Sequence, residues 1–140
     1  MRRCTIMATI AAVAILLLFS ACGGEYDDAV AVNGKFVSAV ESYVSDMETA
    51  NDADSVADAV NDFAAQVEKI VPEMKKISER YPELKDPEQI PEKLKESQAE
   101  AEAVSMEMAG QMMKAFSYMG DEDVQAAQVR LQKAMGGLGT

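Results

Sequence analysis

The stretch SVADAVNDFAAQVEKIVPEMKKISERY, residues 55–81, places Val56, Val60, Phe63, Val67, Ile70, Met74, Ile77 and Tyr81 at spacings that alternate four and three. That repeat gathers the apolar side chains into one stripe of an α-helix and leaves acids and lysines on the other face. Pro72 falls inside the run, yet the stripe keeps its register past it, which predicts a kinked but continuous helix. With Val67 and Ile70 facing inward, Pro72 faces outward, where the carbonyl of Glu68 that loses its partner can be hydrated. Asp52, Asp54 or Ser55 caps the start.

Working outward, the same periodicity recurs on both sides. A first helix covers about Asp28–Ala50, with Phe36, Val40, Tyr43, Met47 and Ala50 on its inner face, and Asn51–Asp54 is the turn. Downstream, Tyr81–Pro87 is the main connection, and Asp86-Pro87-Glu88-Gln89 reads as a cap, a first-turn proline and a capping-box glutamine. A third helix runs from Glu88 or Pro91 to Met119. Its first half is polar nearly all round, whereas its second carries Met106, Met108, Met112, Met113, Phe116 and Met119. Gly120 is expected to close it in a left-handed conformation, and Asp121 to cap a fourth helix with Val124, Ala127, Leu131, Ala134 and Leu138 inward. Gly136 is its stop. The fold class is therefore all-α: an antiparallel up-down-up-down four-helix bundle with a short fourth helix, over residues 28–140 and preceded by an N-terminal signal helix.

Helix lengths sharpen this. At 1.5 Å per residue the fourth helix spans roughly 22 Å and the others about 35–45 Å, so it covers only part of the bundle. It is expected to lie on the methionine-rich half of the third helix. The uncovered end then offers a candidate groove lined by Val32, Phe36, Ile70, Met74, Ile77, Leu94 and Ala101. The competing expectation is that three helices close on one another there and leave no groove.

The 140 residues include 24 acidic and 13 basic side chains, for a charge of −11, with no histidine and no tryptophan. Such a surface repels phosphate backbones, so sequence-independent nucleic-acid binding is excluded as a reading. Without histidine the commonest general base, zinc ligand and axial haem ligand are absent. The acidic groups Asp52-Asp54-Asp58 and Asp121-Glu122-Asp123 stand at helix starts, where they complement the dipole, and neither has calcium-loop spacing. No nucleophile elbow or phosphate-cradling glycine pattern occurs. The chain is read as a non-enzyme that needs no cofactor.

At the N-terminus, Arg2 and Arg3 precede Cys4–Gly24, a stretch of 21 residues with no charged side chain. A basic start, an apolar run from Ile6 to Phe19 and small residues at the end make an export signal. The run closes Leu18-Phe19-Ser20-Ala21-Cys22-Gly23-Gly24, which resembles the lipobox of bacterial lipoproteins, with Phe19 where Leu, Val or Ile is usual. The resemblance implies that the Cys22 thiol receives a diacylglycerol and that residues 1–21 are removed. Residues 22–27 are then the lipidated cysteine and a polar tether. The alternative is an uncleaved transmembrane helix, although the segment barely reaches spanning length and lacks an aromatic or basic end anchor. Both readings send the acidic remainder across the membrane and make the chain extracytoplasmic, anchored to the cell membrane or outer membrane of a bacterium. Loss of Arg2 and Arg3 with the signal takes the charge from −11 to −13. A basic protein partner in the envelope fits that charge.

From Met47 to Met135 the helix order weakly resembles the soluble b-type four-helix cytochromes of the periplasm and their haem-free relatives. The Met47-Glu48-Thr49 and Asn51–Asp54 turn, the alanine-rich start of the second helix and the Gly120 turn into Val124-Gln125-Ala126-Ala127 carry it. The family's haem ligands, an early methionine and a late histidine, are missing, so only the bundle is implied. Ten methionines, five of them between Met106 and Met119, are the one compositional anomaly. Thioethers suit Cu(I), with Met108 and Met112 as candidate ligands, yet Met108, Met112, Phe116 and Met119 share one face of the helix, where methionine fills core gaps. Met106 and Met113, on the flank, suit an adaptable partner surface. The functional expectation is a lipid-anchored interaction or scaffold module of the envelope. The alternative is a carrier of a soft metal such as Cu(I), or of a small apolar ligand, within the bundle.

Overall fold

The computed structural model describes residues 24–137. Four helices, α1 (Asp27–Thr49), α2 (Ala53–Arg80), α3 (Glu92–Ser117) and α4 (Glu122–Gly136), follow one another, with 3-10 turns at Pro82–Lys85 and Pro87–Gln89 between α2 and α3. No strand occurs among the described residues. The molecule is an all-α, up-down-up-down four-helix bundle. Residues 1–21, read above as a signal, together with Cys22, Gly23 and Leu138, lie outside the described residues.

Local chemistry sets the boundaries. The Asp52 carboxylate accepts from the Ser55 amide at 2.8 Å, and the Ser55 hydroxyl accepts from the Asp52 amide at 3.3 Å. This reciprocal box starts α2 and contributes about 1 kcal/mol. Asp121 caps α4 through the amides of Asp123 and Val124 at 2.9 and 3.3 Å. Asp86, read as a helix cap, instead caps the second 3-10 turn through the Glu88 amide at 3.0 Å. Pro72 is exposed and α2 continues through it. At the end of α3 the expected left-handed closure does not occur, since no described glycine has positive φ. The helix tightens there through i to i+3 bonds from Tyr118 to Ala115, Met119 to Phe116 and Asp121 to Tyr118, which leave no need for it.

The core runs between α1, α2 and α4. Tyr43 and Phe63 stack with centroids 4.9 Å apart, and Met47, Val56, Val60, Val124 and Leu131 are fully buried beside them. Burial of each large apolar side chain contributes about 1.5–3 kcal/mol. α1 packs on both α2 and α3, and α4 packs on α2. This corrects the expectation that the fourth helix lies on the methionine-rich half of the third. The reason lies in α2, which buries Ala57, Ala64 and Val71 as a second row beside Val60, Phe63 and Val67. Small side chains let another backbone approach, and the wide apolar face serves two partners. Only Leu94, Val104 and Ala115 of α3 are buried. Arg130 of α4 fixes the register with two bonds to the Glu68 carboxylate, both 2.9 Å.

Candidate ligand cleft

α4 has 15 residues against 28 in α2, and it ends against Val71. Beyond that point Met74 and Ile77 keep their place on the α2 stripe but are only half-buried. They face a cleft of about 670 Å³. Ala29, Val32 and Asn33 of α1 form one wall, with Met74, Ile77 and Ser78 of α2 beside them. Leu94, Ser97, Gln98, Ala101, Glu102, Ser105 and Met106 of α3 form the other, and Leu84, Lys85 and Ile90 of the connection close one end. The volume lies within the roughly 300–1,000 Å³ typical of small-molecule sites.

Of the residues expected to line a groove, the structure brings Val32, Met74, Ile77, Leu94 and Ala101 to this cleft. It places two elsewhere. Ile70 is 6% exposed within the core, one turn nearer the end that α4 covers, and Phe36 is half-buried against that core. Leu84 and Ile90 were not expected, because a proline-bounded connection carries no periodicity to mark its inward side chains. Met108 and Met112 are half-buried against the core. Phe116, expected on the same inner face, is 55% exposed, while Met106 and Met113 are 77% and 72% exposed. That exposure follows from α4 choosing α2, which leaves this side of α3 without a neighbour.

Five polar residues of the walls, Asn33, Ser97, Gln98, Glu102 and Ser105, are bonded within the protein. The Asn33 amide donates to the Ser97 carbonyl at 2.7 Å and to its hydroxyl at 2.6 Å. Ser105 donates to the Ala101 carbonyl at 2.6 Å, and Gln98 to Glu102 at 3.1 Å. With these demands met within the protein, the surface offered to a ligand is chiefly apolar. Comparison with family models, curated proteins and solved structures gives no match for this chain. The cleft therefore has to be read from its own chemistry.

A polar clasp closes the end nearest the N-terminus. Tyr26, the residue before α1, holds a left-handed backbone at φ 70°, an unfavourable state for a non-glycine residue. Its ring packs on Tyr81 with centroids 4.7 Å apart, and its hydroxyl donates to Glu83 at 2.9 Å. That hydrogen bond, helped by desolvation, pushes the Tyr26 hydroxyl up to about 12. Tyr81 donates to Asp28 at 2.9 Å, and Arg80 pairs with the same carboxylate. Desolvation acts to raise Asp28, but Tyr81, the Ala29 amide and Arg80 together hold it below the usual carboxylate value. Lys93, next to the wall residue Leu94, bonds the Glu25 carbonyl at 3.0 Å and pairs with Asp27. The Lys93 ammonium and then the Gly24 amide hold Asp27 low. Residues 24–27, read as tether, are thus fastened across α1, α3 and the connection.

Among the described residues no group of three or more His, Cys, Asp or Glu is placed to hold a metal, and no helix is long and apolar enough to cross a membrane. What the arrangement can do chemically is shelter an apolar group from water beside the first described residues of the chain.

Proposed function

We propose that the protein is a lipid-anchored, extracytoplasmic helical bundle that acts in the bacterial envelope by binding and not by catalysis. Diacylglycerol on Cys22 is the anchor, and two or three acyl chains give stable attachment at about 0.8 kcal/mol per buried methylene. The observation that carries the binding role is the cleft, where Asn33, Ser97 and Ser105 are bonded within the protein and the lining is chiefly apolar. Such a surface favours sequestering an apolar group over transforming one. The exposed Met106, Met113 and Phe116 side of α3 supports a second contact, with a protein partner, since flexible thioethers adapt to varied surfaces.

A second reading is favoured by the same cleft: a carrier that takes up a free apolar ligand from its surroundings. The anchor itself is tested by intact-mass spectrometry of the native protein beside its Cys22→Ser variant. A chain beginning at Cys22 with fatty acyl groups that the variant lacks is the expected result. A native chain that begins at Met1 without acyl groups overturns the proposal.

A further inference from the structure

We infer that the cleft between α1, α2 and α3 is the resting place of one acyl chain of the protein's own Cys22 lipid. The inference rests on the lipid-anchor reading above and goes beyond it, because an anchor alone needs no site on the protein. Three observations carry it.

The first is where the described chain begins. A Cβ built on Gly24 would lie 2.7 Å from the Lys93 ammonium nitrogen, and Lys93 also holds Glu25 and Asp27. Lys93 adjoins the wall residue Leu94, and Asp27 lies two residues before the wall residue Ala29. Covalent geometry bounds the Cα of Cys22 to within about 7 Å of that of Gly24. A group on the Cys22 sulfur therefore starts within two residues of the clasp, with no long linker to search space.

The second is shape. The α3 wall runs from Leu94 to Met106, which is roughly 18 Å at 1.5 Å per residue, and it meets Val32, Met74 and Ile77 on the opposite side. A wall of that length can lie along an extended hydrocarbon chain. The third is chemistry: Asn33, Ser97 and Ser105 are already bonded, so an occupant that offers no hydrogen bonds costs these wall groups nothing.

In this arrangement the protein shields part of its own anchor. A bound chain and a free ligand then compete for the same space.

The test uses the full-length protein in its native cell. Cells are fed a fatty acid bearing a diazirine, the envelope is irradiated, and the purified protein is mapped by mass spectrometry. The expected result is an intramolecular cross-link from the Cys22 lipid to Val32, Ile77, Leu94 or Ala101. Ala101→Phe should abolish it, and Gln98→Trp fills the mouth from a half-exposed position if the first variant folds poorly. Label on Cys22 with cross-links only to bulk lipid overturns the inference and leaves the anchor standing. No label on Cys22 overturns both. Cross-links in the cleft that persist when Cys22→Ser protein is given the free diazirine fatty acid, with none formed within the wild-type chain, assign the cleft to a free ligand and overturn the inference.

Discussion

A Cβ built on Gly137 would stand 2.9 Å from Cγ1 of Val71, so the end of α4 is pressed against α2 one turn before Met74. This contact fixes where the cover stops and the cleft begins. Gly137→Ala forces Val71, a stiff β-branched residue, to move, and should destabilise the bundle by about 1 kcal/mol. Gly136→Ala is the matched control. Nothing lies within 4 Å of its built Cβ and it ends a helix, so it should stabilise by roughly 0.5–1 kcal/mol. Urea denaturation of the two variants checks the sign of each.

Tyr43 is fully buried, and its hydroxyl has no hydrogen-bond partner among the described residues. Tyr43→Phe removes that unsatisfied group and keeps the ring stacked on Phe63, so a gain of about 1 kcal/mol is expected in thermal or denaturant unfolding. Burial pushes the hydroxyl from 10.0 up to about 12. A raised native value means that the stability held by the neutral form is complete below pH 10 and is lost as pH climbs toward 12. The variant should lose less stability over that alkaline interval than the wild type.

The stripe from Val56 to Tyr81 shows why the helices were legible in sequence while their neighbours were not. Periodicity reports which side of α2 is apolar, and Val56, Val60, Phe63, Val67 and Ile70 are indeed buried. It does not report which helix covers that side. Ala57 and Ala64 carry too little hydrophobic signal to mark a second face, yet their small size is what admits α4. The same gap misplaced Phe116, whose position on the α3 wheel beside Met112 suggested burial. An uncovered end was legible because its cause, a short last helix, is a matter of length alone, although closure of the other three helices was the competing expectation there. Its floor at Leu84 and Ile90 was not, and neither was the left-handed Tyr26, which is held by Glu83 and Tyr81 from distant parts of the chain.

The clasp at the cleft's N-terminal end depends on ionised carboxylates. Asp27 and Asp28 both titrate below 3.8, and their lowered values mean that the stability they add is present above 3.8 and is lost as pH falls through the native values. Asp28→Asn should weaken the protein at neutral pH and flatten its decline as pH falls below 3.8. Hydrogen exchange at the first turn of α1 should quicken in the variant before the core does, since the clasp holds only that end.

Thioether chemistry separates the remaining readings. Met108 and Met112 are half-buried against the core, so replacing both with leucine conserves volume and should change stability by less than about 1.5 kcal/mol. Met113→Ser and Phe116→Ser lie on the open side of α3 and should stay within about 0.5 kcal/mol of wild type. Mass spectrometry of Cu(I)-loaded protein is expected to find no bound copper at micromolar metal, because two core thioethers with no cysteine or histidine beside them make an incomplete ligand set. Stoichiometric uptake that disappears in the Met108→Leu, Met112→Leu protein would instead make the methionines a metal site and the bundle a soft-metal carrier.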